Sequence, residues 1–164
     1  MQIFLIRHAE AVEETLALRD PHRHLSDAGR AQARALGDRL RWHDCVPTEV
    51  WTSPLVRAVQ TTELVLTGLG LGDGVSVISA PALAPGGDAR VIGDRLRELD
   101  GSAAVLVVGH EPTLSGLGVS LSLPELGVLA RAEAVRIDGT VEGLRVRWRF
   151  AWSDSAPRPV PPRA

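Results

Sequence analysis

The stretch Ala103-Ala104-Val105-Leu106-Val107-Val108-Gly109-His110-Glu111-Pro112, residues 103–112, decides the predicted fold of this chain. Its six consecutive apolar residues form the clearest predicted strand, and a helix is predicted to begin after Pro112. His110 follows the strand directly. In sheets built from alternating strands and helices, ligands bind beyond the carboxyl ends of the strands. The stretch therefore predicts an α/β fold with a ligand site near His110.

Strands and helices alternate on both sides of this stretch. The patterns predict strands at residues 2–6, 49–52 and 75–79, a closing antiparallel hairpin at 132–138 and 144–152, and helices at 27–42, 54–67, 88–99 and 113–121. Ser26 is expected to cap the first helix, and Ser53-Pro54 to open the second. This alternation predicts a three-layer sandwich, in which a mostly parallel central sheet has helices on both faces.

The predicted domain covers residues 1–152, and residues 153–164 form a Pro-rich C-terminal tail. Proline fixes its own backbone and lacks an N–H group for a ladder. The tail is therefore expected to be an extended appendage that neither pairs nor coils regularly.

Composition excludes several classes of function. The chain has 164 residues, with 20 acidic against 18 basic side chains, so it has no general attraction for nucleic acid or acidic membranes. Its apolar runs are too short to span a bilayer, and Arg7 and His8 interrupt the apolar start too early for a signal peptide. Cys45 is the only cysteine, which excludes a disulfide within the chain. A cytoplasmic protein is expected; the sequence predicts no oligomeric state.

Three polar clusters are predicted to meet at one rim of the sheet. Arg7-His8 follows the first strand, Arg57 lies in the first turn of the second predicted helix, and His110 follows residues 103–108. All basic residues are arginines, so lysine-based chemistry such as Schiff-base formation is excluded. Arginine binds phosphate oxygens through paired N–H donors, and a histidine can attack phosphorus. The combination favours a phosphoryl-transfer site.

Four motifs in this order resemble the histidine phosphatase superfamily, which has a phosphoglycerate mutase-like fold. They are Ile6-Arg7-His8-Ala9-Glu10, Leu25-Ser26-Asp27-Ala28-Gly29-Arg30-Ala31-Gln32-Ala33, Ser53-Pro54-Leu55-Val56-Arg57-Ala58-Val59-Gln60-Thr61 and Val108-Gly109-His110-Glu111-Pro112. Ala9 replaces the glycine usual in the first motif. The short length of the chain resembles the phosphohistidine phosphatase (SixA-like) branch.

The resemblance implies a role for each matched residue. His8 would be the nucleophile, and Arg7, Arg57 and His110 would hold the phosphoryl oxygens. No metal and no organic cofactor are implied. The expected activity is a metal-independent phosphatase that works through a phosphohistidine intermediate. The expected partner is a phosphorylated protein or a small phosphomonoester.

One departure from the family bears on the substrate. Larger members have a glutamate near the third strand as general acid, but residues 80–88 contain none, and Ala82 stands where a carboxylate is expected. Asp88 is the nearest acid, although it also suits a helix cap. An alkoxide needs a proton to leave, whereas the nitrogen of phosphohistidine leaves readily. The sequence therefore favours protein phosphohistidine as the substrate.

Several alternatives stay open. In the structural alternative, Arg57 is a solvated helix arginine paired with Glu63 or Glu49, and His110 caps the following helix or is a hydrogen-bonded core histidine. Arg23 is a candidate substrate contact in a basic loop. The chain could also be a phosphatase of small metabolites or nucleotides, or a non-catalytic phosphate-binding module.

Overall fold

A computed structural model describes residues 1–140 and 143–161, within which seven strands form one sheet. The strands are β1 (Gln2–Arg7), β2 (Glu49–Thr52), β3 (Val77–Ser79), β4 (Ala104–Gly109), β5 (Glu133–Thr140), β6 (Gly143–Ala151) and β7 (Arg158–Pro159). Their order across the sheet is β3-β2-β4-β1-β5-β6-β7. The strands from β3 to β1 pair in parallel, and those from β1 to β7 pair antiparallel. The sheet is therefore mixed.

Helices cover both faces of this sheet. They are α1 (Asp27–Leu40), α2 (Val56–Leu69), α3 (Ala89–Arg97) and α4 (Thr113–Ser120). Phe4 and Leu106 pack in one core cluster with residues of α1 and α2, while Ile3 and Val105 pack in the other with residues of α3 and α4. Successive residues of a strand point to opposite faces, which explains this division. The predicted α/β three-layer class is confirmed.

The pairing of the central strands aligns their carboxyl ends. Arg7 lies opposite Gly109 in the β1–β4 ladder, and Thr52 lies opposite Val108 in the β2–β4 ladder. The N–H of His8 donates to the carbonyl oxygen of Gly109 at 3.1 Å, which extends the first ladder by one residue. All six residues of β4 are buried, as its apolar sequence predicts. The residues that follow β1, β2 and β4 therefore share one edge.

Two glycines allow α1 and α2 to pack closely. A Cβ at Gly37 would lie 2.3 Å from the carbonyl oxygen of Val65, and one at Gly68 would lie 2.6 Å from the backbone nitrogen of Asp38. Any larger residue would force the two helices apart. This contact fixes α2, which carries Arg57, against α1.

The start of α2 differs from the prediction. Ser26 caps α1 as expected, accepting from the N–H of Gly29 at 3.0 Å. Ser53 does not cap α2, which begins only at Val56. The N–H of Ser53 pairs with the carbonyl oxygen of Val108 at 3.0 Å, so Ser53 still belongs to the sheet and lies too early to cap the helix.

The C-terminal tail pairs with the sheet, so the prediction that it cannot pair is wrong. Arg158–Pro159 forms β7 against β6, and the N–H of Val160 donates to the carbonyl oxygen of Arg147 at 3.0 Å. Proline is tolerated on an edge strand because its missing N–H faces away from the ladder. Residues 162–164 lie outside the described residues. Among the described helices, none has the length and apolar character needed to cross a membrane.

Candidate active site

The structure brings Arg7, His8, Arg57 and His110 together at the edge where the parallel strands end. His8, Arg57 and His110 are 8%, 3% and 2% exposed. The ring centroids of His8 and His110 lie 4.8 Å apart. Buried charged or titratable groups need partners, so these three, together with the partly buried Arg7, indicate a built site.

The ring of His8 has a defined tautomer. Its Nδ1 lies 2.7 Å from the carbonyl oxygen of Ala9, which can only accept a hydrogen bond. The proton of the neutral ring is therefore on Nδ1, and Nε2 carries the free lone pair. Burial, aided by the positive charges of Arg57 and Arg7, lowers the pKa of His8 to about 4. At neutral pH His8 therefore presents an unprotonated Nε2.

Arg7 is held by the segment that precedes β5. Its Nη1 donates to the carbonyl oxygen of Leu129 at 2.8 Å. The N–H of Ala132 lies 3.2 Å from the carbonyl oxygen of Arg7 and 3.3 Å from that of His8. Glu111 fixes the same segment, because its Oε1 accepts from the N–H of Leu129 at 2.8 Å. The guanidinium of Arg7 is thus oriented by backbone contacts that its sequence motif does not contain.

Arg57 is paired with a loop residue that sequence patterns did not identify. Its Nη1 donates to the carbonyl oxygen of Asp20 at 2.8 Å, and its Nη2 donates to Oδ2 of Asp20 at 3.1 Å. The alternative pairing of Arg57 with Glu63 or Glu49 is absent among the described residues, where Glu49 pairs with Arg95 instead. Arg57 is therefore a buried residue of the site.

Arg23 is linked to Arg57 through Asp20, whose carboxylate accepts hydrogen bonds from both arginines. Its Nη1 donates to Oδ1 of Asp20 at 3.0 Å, and its Nε donates to the carbonyl oxygen of Val12 at 2.7 Å. Burial works to raise the pKa of Asp20, but hydrogen bonds from Arg23 and Arg57 hold it below its ordinary value. Asp20 is therefore ionised at neutral pH. Whether Arg23 contacts substrate stays a prediction.

His110 lies against Ser53 at the end of β2. Its Nε2 is 2.9 Å from Oγ of Ser53. Burial lowers the pKa of His110 to about 3, and the neighbouring His8 and Arg57 act in the same direction. His110 is therefore neutral at neutral pH. It lies inside the site and does not cap α4, for which no side-chain cap is formed.

Three buried nitrogen atoms of the site have no hydrogen-bond partner within the described residues. They are Nε of Arg7, Nε of Arg57 and Nδ1 of His110. A buried polar atom without a partner costs about 1–3 kcal/mol. An anion with several acceptor oxygens would offset that cost, and two arginines supply the matching charge. The arrangement fits a tetrahedral oxyanion.

The carboxylates that are candidates for a proton donor are engaged in other contacts. Oε1 of Glu10 accepts from Oγ of Ser26 at 2.6 Å, and Oε2 of Glu111 accepts from the N–H of Ser115 at 3.2 Å. Asp88 caps α3 by accepting from the N–H of Arg90 at 2.9 Å. Side-chain and backbone hydrogen bonds from Arg90 lower the pKa of Asp88. No group of three or more His, Cys, Asp or Glu residues suited to a metal ion occurs in the part of the chain that the structure describes.

The comparisons with known proteins agree with this geometry. The family model of the histidine phosphatase superfamily (branch 1) matches residues 3–84. Phosphohistidine phosphatase SixA of Escherichia coli (strain K12) is 30% identical over 148 residues, which cover 87% of this chain and 89% of that protein. A structure of the protein histidine phosphatase SixA with tungstate has a TM-score of 0.82 at 25% identity, covering 93% of this chain and 97% of that one.

The same fold also occurs in a protein that is named for a different activity. A structure of mycobacterial glucosyl-3-phosphoglycerate phosphatase with VO3 has a TM-score of 0.64 at 17% identity, covering 88% of this chain and 96% of that one. That likeness shows the fold alone. The family match and the relative at 30% identity establish more. This chain belongs to the histidine phosphatase superfamily (branch 1).

Proposed function

We propose that this protein is a metal-independent phosphatase in which His8 forms a phosphohistidine intermediate, and that its substrate is protein phosphohistidine. The observation that carries the first part is the tautomer of His8. Its Nδ1–H is committed to the carbonyl oxygen of Ala9 at 2.7 Å, which leaves the Nε2 lone pair for attack on phosphorus. Family membership supports phosphatase activity, and the relative at 30% identity is a phosphohistidine phosphatase.

The proposed reaction has two displacements. In the first, Nε2 of His8 forms a bond to phosphorus as the bond between phosphorus and the leaving group breaks. Arg7, Arg57 and His110 hold the three other phosphoryl oxygens and stabilise their charge in the transition state. In the second, water attacks phosphorus, the P–N bond to His8 breaks, and Nε2 regains its lone pair. Phosphate and a proton leave with the ring restored.

The substrate part of the proposal rests on the proton supply to the leaving group. Asp20 is ionised and shared by two arginines, and Glu111 and Glu10 accept hydrogen bonds elsewhere. His110 has a pKa of about 3 and is neutral at neutral pH, so it has no readily transferred proton. A substrate whose leaving group departs without a carboxylic acid suits this site best. Phosphohistidine meets that requirement, and alkyl phosphates do not.

A phosphatase of small phosphomonoesters is the second candidate, because the mycobacterial glucosyl-3-phosphoglycerate phosphatase has the same fold. The two functions differ in their dependence on the leaving group. The test compares kcat/KM for a phosphohistidine peptide, p-nitrophenyl phosphate and an alkyl phosphate.

We expect turnover of the first two substrates and about 10²- to 10⁴-fold slower turnover of the alkyl phosphate, the range that general acid catalysis supplies. Equal rates on alkyl and aryl phosphates, with no peptide turnover, would favour the small-molecule candidate. Binding of phosphate without turnover of any substrate would favour a non-catalytic binding module.

A further inference from the structure

Arg131 lies in the segment that precedes β5, beside the candidate site. It is exposed, and its side chain forms no hydrogen bond or ion pair within the described residues. The other arginines around the site are engaged: Arg7 donates to Leu129, and Arg57 and Arg23 share Asp20. An exposed cation with no internal partner is available to a ligand.

The backbone on both sides of Arg131 is tied to the site. Two residues earlier, the carbonyl oxygen of Leu129 accepts from Nη1 of Arg7 at 2.8 Å. One residue later, the N–H of Ala132 lies 3.2 Å and 3.3 Å from the carbonyl oxygens of Arg7 and His8. Arg131 therefore lies in a segment that is anchored to His8, the proposed nucleophile, and to Arg7. Arg7, Arg57 and His110 together form the proposed phosphate clamp.

An ion pair between the buried Glu133 and the partly buried Arg149 also holds this segment. The carboxylate of Glu133, 3% exposed, accepts from the N–H of Ala130 at 2.7 Å and from two nitrogens of Arg149 at 2.9 Å each. Nη2 of Arg149 also donates to the carbonyl oxygen of Val128 at 2.7 Å. Each of these contacts limits movement of residues 128–133. The position of Arg131 is thus fixed by the fold, although its side chain is exposed.

The electrostatics agree with this placement. The positive charge of Arg131 contributes, after burial and the other arginines, to the lowered pKa of His8, and it acts on Arg7 in the same direction. These effects agree with the backbone contacts of Leu129 and Ala132, which place the segment carrying Arg131 beside Arg7 and His8.

We propose that Arg131 binds a second anionic group of the substrate, the carboxylate of an aspartate or glutamate that neighbours the phosphorylated histidine. This inference rests on the proposed function. Arg131 is not part of the clamp of Arg7, Arg57 and His110. It would therefore contact the substrate residues that neighbour the phosphorylated histidine. A guanidinium binds a carboxylate through two parallel hydrogen bonds. Arg131 would therefore select among phosphoproteins by local sequence.

The test uses two phosphohistidine peptides that differ at one flanking residue, glutamate in one and glutamine in the other. The readout is the ratio of their kcat/KM values for the unchanged protein, Arg131→Gln, Arg131→Lys and Arg34→Gln. Arg34 is a matched control, because it is exposed and also lacks a partner within the described residues. Its backbone packs beside Gly68, about 16 Å along α2 from Arg57.

We expect the unchanged protein and Arg34→Gln to prefer the glutamate peptide by about two- to fivefold, the range of an exposed charge pair. Arg131→Lys should keep a preference, Arg131→Gln should bring the ratio near one, and higher salt should weaken the preference. A ratio near one for the unchanged protein, or an unchanged ratio in Arg131→Gln, overturns this inference alone. Turnover of p-nitrophenyl phosphate without turnover of either peptide overturns the proposed substrate and this inference together.

Discussion

Oδ2 of Asp20 lies 3.1 Å from Nη2 of Arg57, so a carboxylate of the chain itself contacts an arginine of the candidate phosphate clamp. The carbonyl oxygen of Asp20 accepts from Nη1 of the same guanidinium at 2.8 Å. The backbone contact orients Arg57 without adding charge. The carboxylate, by contrast, repels any phosphoryl group that approaches. The two contacts of Asp20 therefore have opposite effects on anion binding.

Replacing Asp20 by asparagine separates these effects. Asp20→Asn keeps the backbone contact with Arg57 but removes the negative charge, so binding of inorganic phosphate or tungstate should tighten by about three- to tenfold, measured by calorimetry. Asp94→Asn is the control, since Asp94 pairs with Arg97 on the surface of α3. Weaker binding in Asp20→Asn would mean that the carboxylate acts mainly by holding Arg57 in place.

Arg57 itself should matter far more than an exposed arginine. Arg57→Ala removes a charged donor to a phosphoryl oxygen in the transition state, and such a loss typically lowers the rate about 10²- to 10³-fold. Arg34→Ala, on the exposed side of α1, should change kcat/KM by less than about twofold. Steady-state kinetics with p-nitrophenyl phosphate measures both. Similar decreases in kcat/KM for Arg57→Ala and Arg34→Ala would show that Arg57 does not hold a phosphoryl oxygen.

The two histidines of the site should stay neutral at pH values where an ordinary histidine is charged. Burial lowers the pKa of His8 from 6.5 to about 4 and that of His110 to about 3. NMR of the ring nitrogens, assigned with His8→Gln and His110→Gln, should show no titration of either ring between pH 5 and 8. A midpoint for His8 between pH 6 and 7 is the contradicting result.

The same shift links pH to the stability of the fold. Between pH 6.5 and 4 the unfolded chain protonates His8 while the folded chain does not. The contribution of His8 to the free energy of unfolding is therefore complete above pH 6.5 and is lost as the pH falls towards 4. Denaturant unfolding of His8→Gln should accordingly show a weaker pH dependence in this window than unfolding of the unchanged protein.

Asp88 should act on stability rather than on catalysis. Its carboxylate caps α3 and pairs with Arg90, and its side chain is 48% exposed. Asp88→Ala should lower Tm by about 2–4 °C through loss of the cap. Asp88→Asn, which can still cap, should leave the ratio of aryl to alkyl phosphate turnover unchanged. Selective loss of alkyl phosphate turnover in Asp88→Asn would instead identify Asp88 as the general acid.

The parts of the site that could be predicted are those that follow directly from strand ends. Arg7 is the last residue of β1, His8 and His110 come straight after β1 and β4, and parallel pairing brings such residues to one edge. Arg57 was predictable because its helix follows β2. The order of these motifs along the chain identified both the fold and the four residues.

The remaining contacts depend on loops whose paths no local pattern determines. Asp20 is 37 positions from Arg57 along the chain, and the carbonyl oxygen of Leu129 is 122 positions from Arg7. Ser53 looked like a helix cap because serine before proline is typical of one, but the sheet retains its N–H. The proline-rich tail looked unable to pair, yet an edge strand accepts Pro159.

Detection of a phosphoryl group on His8 tests the central claim most directly. The protein is mixed rapidly with ³²P-labelled p-nitrophenyl phosphate, quenched without acid because phosphohistidine is acid-labile, and mapped by mass spectrometry. We predict a label on His8 that forms before free phosphate accumulates and is absent from His8→Ala, whose circular dichroism stays unchanged. Turnover with no label on His8, or His8→Ala activity above about a tenth of the unchanged protein, would contradict the account.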